Sequence, residues 1–249
     1  NKPLPQQYIS YVTGLVKGDL GTSLRTKRPV LTEVQGRYMN TVQLTLLSLT
    51  WSVIAGVLIG VWSGRNSSKW QDYTGMTVAV SGISMPSFWI VFMLIMVFAV
   101  KYRLLPTTGA GSFKNLILPS ITLGVSIAAI IARFTRSSVI EVLKEDYVRT
   151  ARAKGLREKT VIWKHVFRNC MISVVTVVGL QFGFLLGGSV VTETVFAFPG
   201  LGSLLIESVN YRDYPAIQSL ILIFSLHFVL INLVVDVLYA VLNPEIQLS

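Results

Sequence analysis

Charge is missing from five long stretches of this chain, and that absence restricts the fold more than any other feature. Between Arg37 and Arg65 lie 27 residues without a charge, and between Asp72 and Lys101 lie 28. The later gaps run from Lys114 to Arg133 (18 residues), Arg168 to Glu193 (24) and Asp213 to Asp236 (22). A bilayer's hydrocarbon core needs roughly 20 apolar residues at about 1.5 Å rise each, so every gap can hold a spanning helix. With only 14% charged residues against 52% hydrophobic, the chain is too apolar for an ordinary soluble domain, where about a quarter of residues are charged. The expected architecture is an all-α polytopic membrane protein of five spans, near residues 41–64, 73–100, 116–132, 171–191 and 216–242.

A net charge of +10 would ordinarily raise nucleic acid as a partner. Here the basic residues sit in loops between spans, where topology explains them and no nucleic acid is needed. Residues 133–169 hold ten Lys or Arg and four acids, whereas 101–114 hold three Lys or Arg and 193–215 hold one. The excess of positive charge assigns 133–169 to the cytoplasm. Counting back puts 65–72 inside, residues 1–40 outside and the C-terminus inside. An extracytoplasmic segment 1–40 needs something to carry it across, so an additional span upstream of Asn1 is expected, making six in the full-length protein. Cys170 has no second cysteine to pair with and reads as a small hydrophobe.

Within the spans, small residues recur every fourth position: Gly56, Gly60 and Gly64; Ser120, Gly124, Ala128 and Ala132; Gly179, Gly183 and Gly187. A four-residue step keeps them on one helical face, where they let backbones approach closely in lipid. They predict a tightly packed bundle, one able to bury a partner subunit's helices as well. Pro86, near the middle of the second span, predicts a kink. His227 and Asp236 are the ionisable residues of the last span; the first reads as a satisfied hydrogen-bonding residue, the second as a polar contact near the interface. Ser84, Met85 and Gln181 are candidates for a substrate pathway.

The charged stretch contains a short amphipathic helix, about residues 145–154. Val148 and Ala151, with Leu143 and Tyr147 beside them, form a modest apolar face opposite Arg149, Arg152 and Lys154. Gly155 fits the left-handed position that ends helices, and basic residues in a last turn suit the helix dipole. By pattern alone this is equally a helix lying on anionic membrane lipid and a docking element for another protein.

Here the sequence resembles a known family. RTARAKG (residues 149–155), inside EDYVRTARAKGL and followed by KHVFRN, is similar to the EAA loop in permease subunits of ABC importers for dipeptides, oligopeptides, glutathione and nickel. Aligned on Gly155, Arg149, Thr150 and Ala151 stand for the general EAA, and His165, Phe167 and Arg168 for the later I, L and P. GDLGTSL, RPV, SGISMPSFW, ILPSITLG, ARFTRSS, VFAFPGLG, RDYPAIQ and NLVVDVLYAVLNPEI extend the resemblance over the whole chain.

The resemblance implies the transmembrane domain of a type I ABC importer in a bacterial cytoplasmic (inner) membrane, residues 41–249, with a missing first span before residues 1–40. It implies a coupling helix built from Glu145, Asp146, Tyr147, Arg149, Thr150, Ala151, Arg152, Ala153, Lys154 and Gly155. The implied partners are a homologous second permease, two cytoplasmic ATPase subunits and an extracytoplasmic solute-binding protein. ATP and Mg belong to the ATPases: the chain has no GxxxxGK[ST] phosphate loop, binds no cofactor or metal, and carries no catalytic constellation. Two other function classes stay open from the residues alone. An ion-driven secondary transporter or channel would place carboxylates or broken helices near mid-membrane, and a non-transporting membrane anchor would not need patterned loops on both faces.

Overall fold

A computed structural model describes residues 3–242, all helical apart from turns and one isolated bridge between Thr22 and Pro29. Helix α1 (Leu4–Val16) precedes α2 (Val30–Arg65), α3 (Trp70–Ser84) and α4 (Ser87–Leu94), which runs on as a π-helix over Ile95–Lys101. Next come α5 (Phe113–Val142), α6 (Asp146–Ala153), and the short α7 (Glu158–Thr160), which passes through a π-helix (Val161–Val166) into α8 (Phe167–Val195). Helices α9 (Leu201–Asn210) and α10 (Tyr214–Leu242) complete the described chain. Three helices are individually long and apolar enough to cross a membrane; counting two bent pairs as one span each brings the number to five.

The bundle is organised on α2 and α5, which run parallel to one another with their small-residue faces in contact. A Cβ on Gly56 would stand 2.7 Å from the Ala128 carbonyl oxygen, and one on Gly60 2.6 Å from that of Ala132. The helices therefore touch backbone to backbone. Once they are that close, polar side chains cross the seam: Ser52 Oγ donates to the Gly124 carbonyl (2.8 Å) and Trp51 Nε1 to that of Ser120 (2.9 Å). The third glycine face is used differently. Gly179 and Gly183 receive Val235 and Phe228 of α10, while Gly187 has nothing against it.

Three elements depart from expectation. Helix α2 starts at Val30, not near residue 41, because Val34 and Val30 are buried against Leu201, Leu204, Ala216 and Leu220; the boundary at residues 40 and 41 falls inside it. At 36 residues it is about 54 Å long and overruns an apolar layer of about 30 Å. Helix α5 likewise continues ten residues beyond Ala132, since Thr135, Ser138 and Val139 stay buried and Arg136 between them is paired with Asp72 of α3. Pro86 does more than kink its span. Met85 before it is extended (φ −84°, ψ 129°), as a proline requires of its predecessor, and α3 and α4 meet at 103°.

Candidate functional site

The predicted short helix exists as α6, flanked by Glu145 and Lys154. Its apolar face is narrow and fully used: Val148 and Ala151 are buried in a cluster with Val139, Val161, Ile162, Val166 and Cys170. Those five come from the end of α5, the π-helix and the start of α8, so α6 is seated on the junction of two spans. Ala151 therefore points into the bundle. Arg149, Thr150, Arg152, Ala153 and Lys154 are exposed, as are Glu145 and Asp146. Tyr147 lies along the seam, its hydroxyl accepting from Asn169 Nδ2 (2.8 Å).

Helix α6 ends as its glycine predicts. Gly155 has φ +74°, its N–H donates to the Arg152 carbonyl (2.9 Å), and Leu156 N–H donates to that of Ala151 (3.3 Å). This is the paired closure of a Schellman stop. Immediately afterwards Arg152 Nη2 and Nε reach Glu158 (2.8 and 3.2 Å), tying the outgoing chain back across the turn. The result is a capped, braced, two-turn unit that offers a polar face outward.

The pathway candidates separate. Ser84 and Met85 line a groove of about 480 Å³ with Thr77, Ser81 and, at one end, Asp72 and Arg136. Arg136 grips the buried Asp72 with two bonds (2.5 and 2.7 Å), fixing the first turn of α3 to α5. Gln181 is half-buried on α8 and does not join that groove. His227 is held by Tyr38 (2.6 Å) and by the Ile223 carbonyl (2.7 Å), a satisfied residue as expected.

The opposite end holds contacts that sequence reasoning missed. Asp213 is buried and accepts from Leu24 N–H (3.0 Å), Arg25 N–H (3.3 Å) and the Ser23 hydroxyl, pinning the turn after α1 to the start of α10. Its position just before Tyr214 and Pro215, the first turn of α10, was the available signal for a capping acid. Glu207 receives Arg37 (3.1 Å) and Arg25 (3.0 Å). Glu193 is fully buried under the first turn of α9, accepting from Thr41 Oγ1 (2.8 Å) and Ser203 N–H (3.0 Å).

Burial alone would raise the Asp213 carboxyl, but the Ser23, Leu24 and Arg25 donors overrule it and hold it below its ordinary value. A lowered folded-state value means the clamp is complete above the ordinary carboxylate range and is lost as pH falls through the lower value. Protection of the Leu24 and Arg25 amides, taken relative to the intrinsic exchange rate at each pH, is expected to hold from pH 7 down to the ordinary carboxylate range of about 4 and to fall below it. Asp213→Asn should lower that protection already at pH 7, and unchanged protection in that variant would remove the carboxylate from this role.

The comparisons agree with this geometry. The family described as "Binding-protein-dependent transport system inner membrane component" matches residues 56–248. A protein named glutathione transport system permease protein GsiC from Pectobacterium atrosepticum is 54% identical over 247 residues, which cover 99% of this chain and 81% of that protein. The protein of that name from Escherichia coli K12 is also 54% identical over the same shares. Among solved structures, an inward-facing form of the MetNI methionine ABC transporter superposes with TM-score 0.73 at 17% identity, over 86% of this chain and 97% of that one. An amino acid ABC transporter with histidines gives 0.67 at 16%, over 84% and 94%. With a five-span helical bundle and a matching family over most of its length, this chain belongs to the binding-protein-dependent transport system inner membrane components, the permease subunits of bacterial ABC importers.

Proposed function

We propose that this chain is the translocation subunit of an importer for small peptides such as glutathione or dipeptides, or for nickel complexes, with glutathione the first cargo to test. The cargo class is supported by the 54% identity to proteins named for glutathione transport. The drive is supported by one geometric observation: α6 is buried on one face at the α5–α8 junction and free on the other. A rigid element so seated can pass a push at its outer face directly into two spans. Glu145, Asp146, Arg149, Thr150, Arg152, Ala153 and Lys154 would then meet a cytoplasmic ATPase, with Gly155 closing the helix and Tyr147 and Ala151 setting the seat. The charged end faces the cytoplasm in this reading, residues 1–40 lie outside, and a homologous second permease and a solute-binding protein complete the assembly. ATP and Mg are used by the ATPases.

The deciding experiment is uptake of labelled glutathione into proteoliposomes holding the complete transporter. Uptake should require the binding protein, both permeases, the ATPases and hydrolysable ATP. Uptake that persists without ATPase or ATP would replace this reading by an ion-driven one.

A further inference from the structure

Helix α10 carries two exposed faces of opposite chemistry. Only 11% of its most apolar window is buried inside this chain, so most of the helix meets something else. Gln218, Ser225, Asn232 and Asp236 stand at steps of seven, seven and four residues, which at about 100° per residue gathers them within roughly 40° of one another. Three of them are exposed and Asn232 is half-buried. Among the described residues none of the four has a hydrogen-bond or ion-pair partner. On the next face round, Leu226, Leu230, Leu233 and Val237 are all about half exposed.

The apolar face suits lipid. The polar one does not, because amides and a carboxylate without partners are costly in hydrocarbon, and such residues in spans turn to water-filled cavities or the bundle interior. A tight contact with another helix is also a poor fit. Leu222 and Val229 interleave the polar residues, whereas close helix contacts in membranes favour small ones, and this chain spends its small faces on α2, α5 and α8. Water satisfies all four at once. The face also borders the α8 groove: a Cβ on Gly183 would lie 3.9 Å from Asn232 Oδ1, so the stripe continues along a seam, not into open lipid.

We propose that Gln218, Ser225, Asn232 and Asp236 form a wall of the water-filled translocation pathway. Neutral amide and hydroxyl groups along the span offer exchangeable hydrogen bonds to a peptide's backbone, and Asp236 adds a negative charge toward the C-terminal end of the stripe. This assignment rests on the permease reading above.

The test uses the complete transporter in proteoliposomes, with Cys170→Ser removing the native thiol. Single thiols are introduced by Ser225→Cys, Asn232→Cys and Asp236→Cys on the polar face, and by Leu226→Cys, Leu230→Cys and Leu233→Cys on the apolar one. A charged, lipid-insoluble thiosulfonate is present on both sides. Thiols react as thiolates in water, so the polar-face positions should label at least about tenfold faster than the apolar-face ones. Labelling at 225 or 232 should also abolish ATP-driven uptake. Equal rates on the two faces, protection of the polar face by a neighbouring helix, or unchanged uptake after labelling would each overturn the assignment. Absence of uptake in the unlabelled parent would instead count against the permease reading, since the labelling pattern is read without transport.

Discussion

Glu193→Ala is expected to lower the melting temperature of the detergent-solubilised protein more than any other single change outside the α2–α5 seam. The carboxylate sits at the first turn of α9, where a helix leaves its N–H groups without partners. Ser203 N–H donates to it directly, Leu201 N–H reaches it through Thr41 Oγ1, and Gly202 N–H and the Ser189 hydroxyl also donate. Truncation leaves these donors buried and unmet at roughly 1–3 kcal/mol each. Four such groups reach the scale of the whole stability of a typical domain, about 5–15 kcal/mol. Gly200 explains why the motif VFAFPGLG needs its first glycine, since a Cβ there would land on the Glu193 carboxylate. Gly200→Ala should therefore cause much the same lesion, and the double variant should be less damaged than the sum of the two singles, as expected for one shared contact. Glu193→Gln should fall between, keeping the acceptor but turning one donor against another. A melting temperature for Glu193→Ala within about 2 °C of the parent would mean that α9 is held by its apolar face alone.

The spans were readable in the sequence because charge and lipid exclude one another, so the five uncharged gaps mark five crossings. Helix ends were not readable from the same signal. Arg133 and Arg136 end the uncharged run, but nothing there interrupts the α-helix, and α5 runs on to Val142. Likewise Val30 and Val34 look like part of a polar segment until Leu201, Leu204 and Leu220 close over them, a contact between residues some 170 apart in the chain. Pro86 announced a disturbance without its size: a pre-proline residue in extended geometry is shared by a mild kink and a 103° turn. Val148, Ala151 and Gly155 gave α6 away because a helix that short has only one apolar stripe and one stop to display. The acids that fix the opposite end stayed hidden for the converse reason. Glu193 and Asp213 act on Thr41, Ser203 and Ser23, and none of these partners lies in a repeating relation to them. For Ser84, Met85 and Gln181 the sequence offered only polarity or size, and the structure divides them between a groove and a half-buried helix face.

Gly155→Val is expected to uncouple ATP hydrolysis from uptake while leaving the protein inserted and assembled. Gly155 occupies the left-handed region at φ +74°, and a Cβ there would meet nothing within 4 Å. Steric clash is therefore not the issue, and the whole penalty is in the backbone. An L-residue pays roughly 1–2 kcal/mol to sit in that region, a β-branched one the most. The way to relieve it is to let the Schellman stop open, which releases the Leu156 and Gly155 N–H bonds to Ala151 and Arg152. The last turn of α6 then yields under load in place of moving as a unit, while Val148 still holds the helix on the α5–α8 junction. A bias of 1–2 kcal/mol is a factor of about 5–30 in the ratio of closed to open stops, so uptake per ATP hydrolysed should fall by up to about tenfold. The series separates backbone from size: Gly155→Asn, which tolerates the left-handed region, should retain most coupling, Gly155→Ala should lie between, and Gly155→Val should be worst. If all three couple alike, the stop does not need to be rigid and the load enters α6 elsewhere. A loss that scaled with side-chain volume, with Asn worse than Ala, would point to a packed interface at Gly155, and would make that glycine a surface the ATPase touches directly.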